Sequence, residues 1–240
     1  MTRKYWYGPI RSRRLGRSLG VDVIPHKTCS LDCVYCECGA TNSLTLERKE
    51  YFPTNEIIDS LDDILKQISD LDYITFAGSG EPTLHTGLGK IIGFLKEKYP
   101  QFKVAVLTNA TLLNDPDVIE DLAKADLIVP SLDAVSGEAF EKINRPAKNI
   151  SPETIISGIK NLKNSFHGEI WLEIFIIPGI NDHETELDLF KDAISKLGIK
   201  KVQLNTLDRP GAVSWLKPVS KEYKKEIASK LGDVEIVNRE

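Results

Sequence analysis

No cysteine follows Cys38. All four cysteines, Cys29, Cys33, Cys36 and Cys38, fall within ten residues, so none has a distant partner to staple and a disulfide framework is not expected. A reducing compartment and a metal site fit such a cluster better. No apolar run reaches membrane-spanning length. The first residues, Met1-Thr-Arg-Lys-Tyr-Trp, lack the apolar core of a signal peptide. The expectation is a cytoplasmic protein without membrane contact. The four histidines, His26, His85, His167 and His183, show no ligand spacing and read as surface or loop residues. No linker, low-complexity tract or internal repeat stands out, and 240 residues suit one domain spanning 1–240.

Excess charge is also missing, for the net charge is −4, which argues against indiscriminate nucleic-acid binding. The charge is uneven, however. Arg3, Lys4, Arg11, Arg13, Arg14 and Arg17 all precede the first acid, Asp22. They read either as a solvated basic arm or as an anion contact to phosphate, a substrate carboxylate or an acidic electron donor.

What is present is alternation. Short apolar runs at 21–25, 73–77, 103–107, 126–132, 170–177 and 201–205 read as strands, and most are followed by a stretch of helical period. Thr54 reads as the N-cap of a helix burying Ile57, Leu61 and Leu65. Pro116 suits the first turn of another helix, and Gly198 stops a third. Repeated βα units predict an α/β fold, a parallel sheet with outer helices. Six units suit a partial (βα)6 TIM-like barrel, with an open doubly wound sheet as the alternative. In either, ligands gather at the C-terminal ends of the strands.

A loop of about 26–52 has no periodicity, and it holds every cysteine. Loops this long in a compact domain are usually functional. Cys29, Cys33 and Cys36 stand at C-x3-C-x2-C spacing. Clustered thiolates select zinc or iron–sulfur centres. Structural zinc takes two ligand pairs separated by a longer stretch, so four thiols packed this closely make a poor tetrahedral cage. Three ligands on a four-iron cube leave one iron open for chemistry. Cys38 has no assigned role. The second feature is Gly78-Ser-Gly-Glu-Pro82 at the end of a strand, where glycine lets backbone approach a ligand closely.

The cysteine spacing, with Tyr35 just before Cys36, resembles the radical S-adenosylmethionine (SAM) superfamily. The turn at Gly78–Pro82 resembles that family's Gly-Gly-Glu-Pro motif, with Ser79 in place of the second Gly. The resemblance implies a 4Fe-4S cluster on Cys29, Cys33 and Cys36, chelated at its open iron by SAM. It implies SAM contacts from Tyr35, Gly78, Ser79, Gly80, Glu81 and Pro82, with Glu81 at the methionine ammonium. It extends to strand-end positions Thr108, Asn109, Ser131, Asp133, Glu173, Asn205 and Leu207. It further implies reductive SAM cleavage to a 5′-deoxyadenosyl radical that takes hydrogen from a substrate, with electrons from a low-potential donor such as flavodoxin or ferredoxin. Residues 12–20 resemble a microbial group labelled after wyosine-type tRNA synthesis, although residues 1–28 lack the extra cysteines of wyosine-forming relatives. Arg13, Arg14, Arg17 and Arg145 are the candidate substrate contacts, with a plain turn as the other reading of Arg145. Six units leave a wide lateral mouth with little chain after Asn205 to cover it, which points to a macromolecular substrate, RNA or protein. Competing classes are a non-catalytic Fe–S electron carrier and a nucleic-acid-binding protein with structural zinc.

Overall fold

The computed structural model describes residues 3–237. An eight-stranded sheet runs in the order β1, β2, β5, β6, β7, β8, β9, β10. β1 (Trp6–Ser12) and β2 (Gly16–Val21) form an antiparallel hairpin. From β2 onward every pairing is parallel, through β5 (Tyr73–Phe76), β6 (Lys103–Thr108), β7 (Leu127–Pro130), β8 (Glu169–Phe175), β9 (Lys201–Asn205) and β10 (Glu235–Ile236). The end strands β1 and β10 do not pair with each other, so the barrel is open on one side. Six consecutive parallel strands, β2 to β9, form the expected partial (βα)6 barrel. Between β2 and β5 the cysteine loop makes one small parallel contact of β3 (Thr28–Cys29) with β4 (Ser43–Leu44).

The first strand departs from expectation. It spans Gly16–Val21 rather than 21–25, and the basic segment before it forms a hairpin on which Arg11, Arg13 and Arg17 stay exposed. Gly and Arg hide the strand pattern, and β2 is stabilised by a distant partner through Ser18↔Tyr73 to Val21↔Phe76. Thr54 is likewise not an N-cap. It is the first helical residue of α1 (Thr54–Leu65), with Pro53 before it, and Glu50 Oε1 accepts from both the Thr54 backbone N–H and its hydroxyl.

Helices cover the outer face: α1, α2 (Leu88–Lys98), α3 (Pro116–Leu122), α4 (Gly137–Asn144), α5 (Pro152–Ser165), α6 (Glu184–Leu197) and α7 (Lys221–Leu231). Alternation along the strands divides the core. Ile74, Phe76, Val104 and Val106 pack outward among the helices. Tyr73, Ala105, Leu127 and Val129 face the other way and receive Leu15 from the hairpin turn. These side chains fill the floor of the barrel. His85 is not on the surface but fully buried in the turn after β5. No helix among the described residues is long and apolar enough to cross a membrane.

Candidate functional site

The cysteine loop is fastened to the end of α4. Asp32 N–H donates to the Asn144 carbonyl at 2.9 Å, Val34 N–H to Ile143 at 2.9 Å, and Ala147 N–H to Ser30 at 2.9 Å. Each cysteine of the trio meets one side-chain N–H donor. Asn109 Nδ2 donates to Cys29 Sγ at 3.4 Å, Asn144 Nδ2 to Cys33 Sγ at 3.3 Å, and Lys27 Nζ to Cys36 Sγ at 3.1 Å. Burial pushes the Cys29 thiol up to about 11, with Glu81 adding to the effect. Burial and then Asp133 push Cys33 well above the usual thiol range. Cys36 is lowered to about 5 by a hydrogen bond from Cys38 and then by Lys27. Cys38 is pushed up by the same bond; it is exposed and also donates to the Gly78 carbonyl at 3.5 Å.

The turn after β5 explains its own composition. Gly78 has φ +148, a conformation that side chains rarely adopt, and a Cβ on Gly80 would lie 2.0 Å from the Thr28 carbonyl oxygen. Ser79 uses its hydroxyl: Oγ donates to Asp22 Oδ2 at 2.6 Å and its N–H at 3.1 Å. The turn is thereby tied to the end of β2. Pro82 opens a single 3-10 turn, Pro82–Leu84.

Glu81 does not present a free carboxylate. It is 2% exposed. Its Oε1 accepts from Thr83 N, Thr83 Oγ1 and Thr108 Oγ1, and its Oε2 accepts from the Asn109 N–H at 2.8 Å. Asp133 is also turned inward, accepting from Tyr35 O–H, Asn144 Nδ2 and Phe175 N–H. Burial raises both carboxyls above the usual carboxylate range. Ser131 closes β7 against Glu173 through a bridge. Glu81, Thr108, Asn109, Ser131 and Asp133 thus form the interlocked layer beneath the site.

A cavity of about 620 Å³ lies above that layer. Cys36 and Tyr35 line it on one side, Gly78 and Ser79 on another, and Glu173, Asn205 and Leu207 on the far strands. Tyr35 stacks on Phe175 with centroids 3.9 Å apart. The hairpin also lines it, through Tyr7, Ile10 and Arg11 to Arg14. The turn of the hairpin reaches across the open side: Arg13 pairs with Asp208, which also takes Lys224 at 3.1 Å, and Arg14 pairs with Glu173. The lateral mouth is therefore narrowed by the hairpin together with the segment after Asn205, which supplies Asp208. Burial lowers the Arg14 guanidinium to about 10.

Two candidate arginines are elsewhere. Arg17 pairs with Asp70, just before β5 at the barrel floor. Arg145 is the left-handed residue ending α4 and faces Asp32 at 3.7 Å, which is the plain-turn reading. Sequence reading missed Lys27, Asn144 and Asp22. Their only signal is spatial; Asn144, for instance, lies 111 residues from Cys33.

The donor set fits an iron–sulfur cluster. It consists of three soft ligands, each with a neighbouring N–H donor of the kind that tunes cluster sulfurs. Among the described residues no three His, Cys, Asp or Glu side chains converge on a single metal ion's position, and thiolates on different irons of a cube do not converge on one point either.

Residues 23–190 match the family model described as the radical SAM superfamily. The chain is 42% identical over 203 residues to a Brachyspira hyodysenteriae protein named GTPase Obg, covering 85% of this chain and 30% of that one. It is 38% identical over 217 residues to a UPF0026 protein of Synechocystis, covering 90% and 78%. The fold matches a radical SAM methyltransferase from Sphaerobacter thermophilus with TM-score 0.68 at 18% identity, over 91% of this chain and 66% of that one. On the match over residues 23–190, more than half of its length, the chain belongs to the radical SAM superfamily.

Proposed function

We propose that the protein is a radical SAM enzyme with a 4Fe-4S cluster on Cys29, Cys33 and Cys36 and SAM in the adjoining cavity. The observation that carries this is the trio itself: three cysteines in the loop after β2, each met by an N–H donor, with Cys36 lining a cavity of about 620 Å³. Bound there, the two groups supply one-electron reductive cleavage of SAM to a 5′-deoxyadenosyl radical that takes hydrogen from a substrate. The chain's own residues hold and shelter them. Gly78 and Ser79 line the cavity on one side, while Glu173 and the Asn205–Leu207 segment line it from the far strands. Glu81 and Asp133 act as positioning residues, since internal donors already occupy their oxygens. The Arg13–Asp208 and Arg14–Glu173 pairs hold the hairpin over the open side and so limit water entry.

A low-potential protein such as flavodoxin or ferredoxin donates the electron, and the substrate is a macromolecule, RNA or protein. Tyr7 and Ile10 support this, since both line the cavity and remain exposed, leaving an apolar rim for a large partner to close. The test is anaerobic incubation of the reconstituted protein with SAM and dithionite. Release of 5′-deoxyadenosine is expected; a loaded cluster that never cleaves SAM would return the reading to an electron carrier. Cell extract should raise the rate, and nuclease or protease treatment should remove the stimulation according to the substrate's class. Stimulation that survives both treatments and passes a small-molecule filter would overturn the macromolecular reading.

A further inference from the structure

Lys27 is 3% exposed, and lysine is almost never buried without a counter-charge. The other cations packed into this end of the barrel have carboxylate partners: Arg14 pairs with Glu173, and Lys224 with Asp208. Lys27 has none among the described residues, and the contact its ammonium makes is with Cys36 Sγ at 3.1 Å. Its backbone is held in the left-handed region, φ 58. Lys27 N–H donates to the Ser79 carbonyl at 2.9 Å, and its own carbonyl accepts from Asn42 and Ser43 at 3.0 Å each. The side chain is thus aimed by both the turn after β5 and the far end of the cysteine loop. The donors on Cys29 and Cys33 are neutral amides; the one on Cys36 is a cation.

We propose that Lys27 is a resident positive charge for the iron–sulfur cluster, positioned on the Cys36 ligand to favour the cluster's reduced state. The inference rests on the cluster assignment above. Adding one electron adds one negative charge, and a fixed cation a few ångströms away stabilises the more negative state over the less negative one. At the short range and reduced dielectric of a buried site, that difference exceeds tenfold in the reduction equilibrium, which is 59 mV for a one-electron couple. The electron comes from the low-potential donor and stays on the cluster, so no proton or bond changes partner in this step. The role is one of positioning and electrostatics: Lys27 tunes how readily the cluster accepts the electron.

The test is a redox titration of the reconstituted cluster, monitored by visible absorption and electron paramagnetic resonance, with iron content measured beside it. Lys27→Met keeps an unbranched stem and the same backbone demand while removing the charge. It is expected to hold about four irons per chain with a midpoint lower by 59 mV or more, a tenfold loss in reduction equilibrium. Lys27→Arg should restore most of the shift. Loss of iron in Lys27→Met that Lys27→Arg restores also supports the role, because charge rather than packing is then what the cluster needs. An unchanged midpoint in loaded Lys27→Met overturns the inference, as does equal loss of iron in both variants. A wild-type protein that takes up no cluster sinks the assignment beneath it instead, so the two failures are distinct.

Discussion

Asn109 donates its backbone N–H to Glu81 Oε2 at 2.8 Å, and its side chain turns the other way to Cys29 Sγ at 3.4 Å. The carboxylate is thus linked to the cysteine loop through Asn109. Glu81→Gln places an amide where four donors converge and leaves at least one of them unpaired. A loss of about 1–3 kcal/mol is expected, roughly 2–4 °C of Tm per kcal/mol in a chain of this size. Thermal unfolding of the cluster-free variant checks it; an unchanged Tm with weakened SAM binding would instead make Glu81 a direct SAM ligand.

The three trio cysteines and Cys38 should separate cleanly. Cys29→Ala, Cys33→Ala or Cys36→Ala should abolish iron uptake, while Cys38→Ala should keep about four irons per chain. Cys38 is exposed and hydrogen-bonded to Cys36 and the Gly78 carbonyl. Iron analysis after anaerobic reconstitution decides this, and zinc taken up in place of iron would count against the cluster.

Two arginines of the hairpin make ion pairs of different worth. The Arg14 and Glu173 side chains are 12% and 13% exposed, whereas those of Arg17 and Asp70 are 50% and 79% exposed. Arg14→Ala strands a buried carboxylate and should cost about 3–5 kcal/mol. Arg17→Ala should cost about 0–1 kcal/mol. Denaturant unfolding of the two variants side by side measures the contrast, and equal losses would contradict the burial argument.

Gly80 is required for space rather than for backbone freedom. An added Cβ meets the Thr28 carbonyl oxygen, next to Cys29, and backbone cannot swing aside as a side chain can. Gly80→Ala should cost about 1–3 kcal/mol and reduce cluster loading. Gly137→Ala meets nothing within 4 Å and should be neutral or stabilising by up to about 1 kcal/mol. Loading and Tm of both variants test the claim.

Asp133 sets a pH dependence with a defined sign. Burial holds its carboxyl above the usual carboxylate range in the fold, so the folded state keeps a proton that the unfolded chain has lost. Its contribution to stability is present below the unfolded pKa and falls as pH rises toward the folded pKa. Asn does not titrate, so the stability margin of wild type over Asp133→Asn should shrink as pH rises above about 4, the ordinary aspartate value. Denaturant titrations of the cluster-free proteins across that range measure it, and a widening margin would reverse the sign.

The chain alone determined what is local. The C-x3-C-x2-C spacing, the Gly-rich turn at Gly78–Pro82 and the alternation of strands with helices all lie within short stretches, where side-chain period and glycine placement decide structure directly. Most of the α/β order was legible for that reason, as were Gly198 ending α6 and Pro116 in the first turn of α3. Tertiary structure decided the rest, because it depends on which strands become neighbours. The basic segment became a hairpin over the barrel because Arg13 finds Asp208 from 195 residues away and Leu15 finds the barrel floor. Glu81 and Asp133 became inner supports because strand ends from distant parts of the chain supply their donors. Lys27 looks like any loop lysine in the sequence; only the fold of the cysteine loop buries it and aims its charge at Cys36.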